Sequence, residues 1–346
     1  VSAVQSAGLT KAEILSQPQA WADTVDAARA AAGDLRALWE RERPDAVVLT
    51  GCGSTYYVAM LAAAALRLRG VAAQAVPASE LLLYPGMSLP HRGRVMMVAI
   101  SRSGSTSETV RACRDFVASG RGPLVTISGY ADEPMASLGA VNLLVPAARE
   151  ESIVQTRAFT SLAIASLLAA AVWTGDDRAI DDLARLPEAG ARVIETQLPA
   201  AAELARTPVD RVFFLGSGPH YAIACEAGLK TKEVTLTPAE PFHFLEFRHG
   251  PKSLVTPDAL VVGLLSGEHD AMERPVVAEM AALGGRALTF GDRGADLVSG
   301  SGLGELARSI LPLPAIQWYA CERALAQGHD PDRPRNLTQV ISLDLG

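Results

Sequence analysis

After an apolar run from Val95 to Ile100 the chain reads Ser101-Arg102-Ser103-Gly104-Ser105-Thr106-Ser107-Glu108-Thr109, then continues in a helical pattern through Val110 and Cys113. A strand end, a hydroxyl-rich turn and a helix start make a phosphate cradle. The helix start offers unpaired N–H groups and the positive end of its dipole, and the hydroxyls donate further hydrogen bonds to a dianion. One or two such residues would be ordinary helix caps, but this turn holds more than capping needs. A second constellation, Glu226, Lys230 and Glu233, has spacings of four and three that put two carboxylates and a cation on one helix face. Read alone it is a solvated face with an i,i+4 ion pair. Further on, Glu246-Phe247-Arg248-His249-Gly250-Pro251-Lys252 sets a histidine in a turn stiffened by glycine and proline.

The elements that must position these residues follow from the apolar pattern. Short β-rich runs end at Gly or Ser and lead into helical stretches, the signature of parallel strands joined by crossover helices. One series includes 46–50, 95–100, 124–127 and 143–145, and a second includes 212–215, 260–265 and 287–290. The turn Gly51-Cys52-Gly53-Ser54-Thr55-Tyr56 matches Gly216-Ser217-Gly218-Pro219-His220-Tyr221. Ser101 lies 50 residues after Gly51 and Ser266 lies 50 after Gly216, so a duplicated domain is expected. Apolar residues at helical spacing in about 10–41 and 176–207 mark packing helices without assigned chemistry.

Composition narrows the function class. The 346 residues are 49% hydrophobic and 20% charged with a net charge of −7, a globular composition without a basic footprint for nucleic acid. The four cysteines form no C-x-x-C pair, which suggests neither a zinc site nor a disulfide framework and fits a reducing cytoplasm. The apolar stretch near Ser161 to Trp173 reads as too short to cross a membrane, and the amino terminus lacks a signal pattern.

Taken in order, Gly51 to Thr55, Ser101 to Thr106, Thr156-Arg157-Ala158-Phe159-Thr160, Glu226 to Glu233, His249-Gly250-Pro251 and Asp330-Pro331-Asp332-Arg333-Pro334-Arg335-Asn336-Leu337 resemble the sugar isomerase (SIS) family. The likeness covers nearly the whole chain. Its relatives include the isomerase half of glucosamine-6-phosphate synthase and the amino-sugar-phosphate deaminases and isomerases. It implies an α/β fold of two tandem SIS domains, each a parallel sheet flanked by helices in three layers. The expected segments are an N-terminal helical part at 1–40, SIS domains at 41–175 and 209–330, a linking helix at 176–208, and a tail at 331–346 that completes the active site.

Carried over by position, the resemblance implies that Ser54, Thr55, Ser101, Arg102, Ser103 and Thr106 surround the phosphate, with Arg102 replacing a glutamine of the synthase. Glu233 matches the base that moves a proton between carbons 1 and 2. Lys230 lies beside it, where a cation favours the ionised base and stabilises a developing enolate oxygen. His249 matches a ring-opening histidine that the synthase takes from a neighbouring subunit, so a homodimer is expected. Ile153, Thr338 and Gln339 are expected to contact the sugar, and no metal, nucleotide or redox cofactor is implied. Gln339 stands where the synthase has a Schiff-base lysine, and no glutaminase segment precedes the match, so glutamine-dependent amination is not expected. The run from Phe247 to Val255 is most similar to the galactosamine-6-phosphate deaminase/isomerase branch. Deamination of a hexosamine 6-phosphate leads. A fructosamine-6-phosphate deglycase, an aldose-ketose isomerase and a non-catalytic sugar-phosphate sensor are the alternatives.

Overall fold

A computed structural model describes residues 7–344. The outermost residues of the expected N-terminal segment and tail, 1–6 and 345–346, lie outside the described residues. Ten strands occur in chain order: β1 Ala46–Gly51, β2 Ala73–Pro77, β3 Val95–Ser101, β4 Leu124–Ser128, β5 Val141–Leu144, β6 Arg211–Leu215, β7 Ala239–Phe242, β8 Ala259–Leu264, β9 Arg286–Gly291 and β10 Leu297–Val298. They form two five-stranded sheets, ordered β2-β1-β3-β4-β5 and β7-β6-β8-β9-β10, and every neighbouring pair is parallel. The two orders are the same, strand for strand. This is the expected α/β architecture of two parallel sheets flanked by helices. β1, β3, β4, β6 and β8 read as almost unbroken apolar runs because both faces of a parallel sheet are covered by helices.

Two compact units emerge, each assembled from separated stretches of chain. One comprises 19–150, 157–184 and the described part of 338–346 and holds the first sheet. The other comprises the described part of 1–18, 151–156 and 185–337 and holds the second.

In the first unit, helix Ser54–Leu68 packs on helix Arg157–Thr174. That second helix is 18 residues long and apolar enough to span a membrane, longer than the sequence reading allowed, and 89% of it is buried as a core element. Trp39 stacks on Trp173 with ring centroids 5.7 Å apart, and Trp21 Nε1 donates to Thr160 Oγ1 at 2.8 Å, which fixes helix Gln17–Glu42 over it. In the second unit, helix Pro219–Thr235 packs between β7 and helix Leu313–Ala326, and helix Gly8–Leu15 lies against the latter.

Candidate functional site

In a sheet of this order, crossovers diverge between β1 and β3, and the crevice beyond the carboxyl ends of those strands is where open α/β sheets take ligands. Both turns at that crevice are tightly specified. Gly51 tolerates no Cβ, because one would sit 2.6 Å from Thr55 Oγ1 and 2.7 Å from the Thr55 carbonyl. Thr55 is buried, and its hydroxyl donates to Cys52 O at 2.9 Å while accepting from Cys52 N at 3.0 Å. Thr55 thus ties the turn together, and Ser54 is buried beside it.

At the end of β3, Ser101 Oγ accepts from Gly104 N at 3.0 Å and Ser103 Oγ accepts from Ser105 N at 3.2 Å. Both hydroxyls lie 3.5 Å from Thr106 Oγ1, so three hydroxyls converge at the start of helix Ser107–Ser119. Thr106 is the N-cap yet makes no side-chain capping bond, which leaves its hydroxyl turned toward the serines. Gly104 adopts φ +73°, a left-handed geometry that favours glycine.

Arg102 follows Ser101 directly, and its buried side chain reaches the tail. Its guanidinium is 5% exposed, lies 3.7 Å from the wholly buried Glu150 carboxylate and donates to Gln339 O at 2.7 Å. Gln339 Nε2 returns a bond to Glu150 O at 2.8 Å, and Leu343 N donates to Ser107 Oγ at 2.9 Å. Arg102, Gln339 and the cradle are therefore brought together, while Thr338 is exposed and its hydroxyl donates to Val340 O at 3.1 Å. Sequence reading missed Glu150, whose only signal was a pair of carboxylates just before the Thr156-Arg157 motif.

The equivalent turn of the second unit holds a carboxyl group of its own. Ser266, the counterpart of Ser101, gives its N–H and its hydroxyl to Glu273 Oε2 at 2.8 and 3.0 Å. Burial pushes the Glu273 carboxyl above the usual carboxylate range, against the pull of those two bonds. His220, the counterpart of Thr55, lies 3.6 Å from Glu305, and the neighbouring ring holds the Glu305 carboxyl below the usual carboxylate range.

The second unit carries the acid-base cluster on helix Pro219–Thr235. Lys230 Nζ sits 2.5 Å from Glu233 Oε2 and 3.5 Å from Glu226 Oε1. Side-chain exposures of 3% for Lys230, 0% for Glu226 and 19% for Glu233 show that the face is not solvated; only Glu233 opens outward. His249 is exposed at the end of the short helix Glu246–Arg248, in a turn whose neighbours Arg248 and Lys252 both pair with Glu279. It shares no hydrogen bond, ion pair or ring contact with Glu233 or Lys230 among the described residues. Ile153 is half-buried in the irregular segment 151–156. Burial pushes the thiols of Cys113, Cys225 and Cys321 up to about 12, which removes them as nucleophiles at neutral pH. No group of three or more His, Cys, Asp or Glu poised to hold a metal occurs among the described residues.

A family model, the SIS domain, matches residues 42–172 and 207–300. The chain belongs to the SIS family. The SIS chain is 28% identical over 96% of its length to glutamine–fructose-6-phosphate aminotransferase [isomerizing] of Xylella fastidiosa strain Temecula1, and 30% identical over 96% to the enzyme of the same name from Xanthomonas campestris. It spans 58% of the length of each. Among solved structures it is similar to glucosamine-6-phosphate deaminase from Thermotoga maritima, with TM-score 0.78, 25% identity and coverage of 96% of this chain and 99% of that one. Tagatose-6-phosphate ketose/aldose isomerase from Escherichia coli shares the SIS fold at TM-score 0.81 and 24% identity, covering 93% of this chain and 94% of that one.

Proposed function

We propose that this chain is a phosphosugar isomerase that deaminates a hexosamine 6-phosphate to a ketose 6-phosphate and ammonia. The observation that carries the reading is Lys230, a buried cation set against two carboxylates of which Glu233 alone is open to a ligand. In this reading the hydroxyls of Ser101, Ser103 and Thr106, with the N–H groups of the following helix, bind the 6-phosphate. Arg102 and the buried turn of Ser54 and Thr55 hold the cradle in shape, and Arg102 adds positive charge beside it.

Glu233 takes the carbon 2 proton from the open-chain aldehyde, giving an enolamine, and returns a proton to carbon 1. Lys230 stabilises the oxygen on which negative charge develops. The resulting ketimine is hydrolysed by water to the ketose phosphate and ammonia. His249 assists ring opening, and its exposure and separation from the cluster's contacts fit its contribution by a second copy of this chain in a homodimer. Glutamine is not the nitrogen source in this reading, since the amide of Gln339 cannot form a Schiff base with a ketose. The expected segment boundaries, the cytoplasmic setting and sugar contacts from Ile153, Thr338 and Gln339 belong to the same proposal.

A deglycase acting on a fructosamine 6-phosphate, or a plain aldose-ketose isomerase, would use the same base and cradle. Product analysis decides. Ammonia with a ketose 6-phosphate supports deamination, an amino acid supports a deglycase, and an aldose-ketose pair without ammonia supports simple isomerisation.

A further inference from the structure

Segment 151–156 belongs to no helix or strand, yet Ser152, Val154 and Thr156 are buried. Buried backbone outside regular structure must find its hydrogen-bond partners elsewhere. Here the partners come from the far end of the chain sequence. The Glu13 carboxylate, in helix Gly8–Leu15 and 5% exposed, accepts from Glu151 N at 2.7 Å, from Ser152 N at 3.2 Å and from the Ser152 hydroxyl. One turn later Gln17 Nε2 donates to Gln317 Oε1 at 2.9 Å, and Gln317 Nε2 donates to Thr156 O at 3.3 Å. Both ends of the segment are thus held from residues four apart, with Ile153 between them. The helix is itself anchored by Asp332, which accepts from Leu9 N, Thr10 N and Thr10 Oγ1 at 3.2, 2.8 and 2.6 Å.

The held segment bears on the chemistry. Val154 and Thr156 line a small pocket with Thr10, Lys230, Val234 and Gln317, so the segment that Glu13 holds at one end and Gln317 at the other forms part of the surroundings of Lys230. Both backbone N–H groups meet one oxygen, Oε1, and the Ser152 hydroxyl can also donate to Val154 O at 2.9 Å, so glutamine keeps the contacts by accepting at Oε1 and donating to Ser152 Oγ, whereas alanine takes the acceptor away from both N–H groups.

We propose that Glu13 is a positioning residue for sugar binding, setting the backbone at 151–153 and through it the sugar contact at Ile153. The inference rests on the proposed function, and its test separates the two. Glu13→Ala, Glu13→Gln and the unaltered chain are compared for amide hydrogen exchange at 151–153, for binding of glucosamine 6-phosphate by calorimetry, and for binding of inorganic phosphate. The expected result is faster exchange at 151 and 152 in Glu13→Ala and about 10-fold weaker sugar-phosphate binding with phosphate binding unchanged, largely restored in Glu13→Gln. Faster exchange with unaltered sugar-phosphate binding, or unaltered exchange, overturns the role of Glu13 and leaves the proposed function standing. An equal loss of phosphate and sugar-phosphate binding also overturns it, since the effect would then be general. Failure of the unaltered chain to bind glucosamine 6-phosphate while it binds inorganic phosphate counts against both.

Discussion

Lys230 Nζ stands 3.5 Å from Glu226 Oε1, and the Glu226 side chain has no exposed surface. A carboxylate sealed in that way depends on its cation. Lys230→Met should therefore destabilise the fold by about 3–5 kcal/mol, because it removes the cation from a buried ion pair. Adding Glu226→Gln should recover a large part of that loss, a non-additivity that urea unfolding of the single and double variants would reveal. Equal and additive losses would contradict the coupling.

The hydroxyls of the first unit should divide by role. Thr106→Ala removes a group that makes no capping bond, so inorganic phosphate should bind about 10-fold more weakly with little change in melting temperature. Thr55→Ala removes both bonds to Cys52 and should lower thermal stability first. Differential scanning calorimetry and phosphate titration on the two variants separate these outcomes.

The Glu273 carboxyl predicts a pH effect of definite sign. Its proton is held more tightly folded than unfolded, since burial raises its affinity above that of an ordinary carboxylate. Such a group adds stability that is fully present below the ordinary carboxylate range and lost as pH rises through the folded value. Glu273→Gln keeps an acceptor for Ser266 and removes the titration. Relative to the unaltered chain, its melting temperature should be higher at about pH 7 than at about pH 4. A constant difference across that range would show that Glu273 does not titrate in this way.

The interior strands β1, β3, β4, β6, β8 and β9 were legible as apolar runs, and so was β5. The sequence did not announce β2, β7 and β10, all at sheet edges. β2 is Ala-Gln-Ala-Val-Pro, largely half-exposed, β7 contains Glu240 and Pro241, and β10 is two residues long. An edge strand needs apolar side chains and backbone donors on fewer sides, so its pattern fades and proline is tolerated. The spacing of Glu226, Lys230 and Glu233 was readable, whereas their burial was not, because it is imposed by packing of their helix on helix Leu313–Ala326. Glu13 and Glu150 were invisible for a related reason. Their partners stand far off in sequence or in backbone groups that carry no residue signature.

The central claim is that Glu233 transfers a proton on an amino sugar phosphate, and its most direct test is product formation. Glucosamine 6-phosphate and galactosamine 6-phosphate would each be given to the unaltered chain and to Glu233→Gln, with ammonia and ketose 6-phosphate measured together. The account predicts equal amounts of the two products from at least one sugar. It also predicts a fall of about 100-fold to 10,000-fold in Glu233→Gln with sugar-phosphate binding kept. Near-normal turnover in Glu233→Gln, or binding of both sugars with no ammonia released from either, would contradict it.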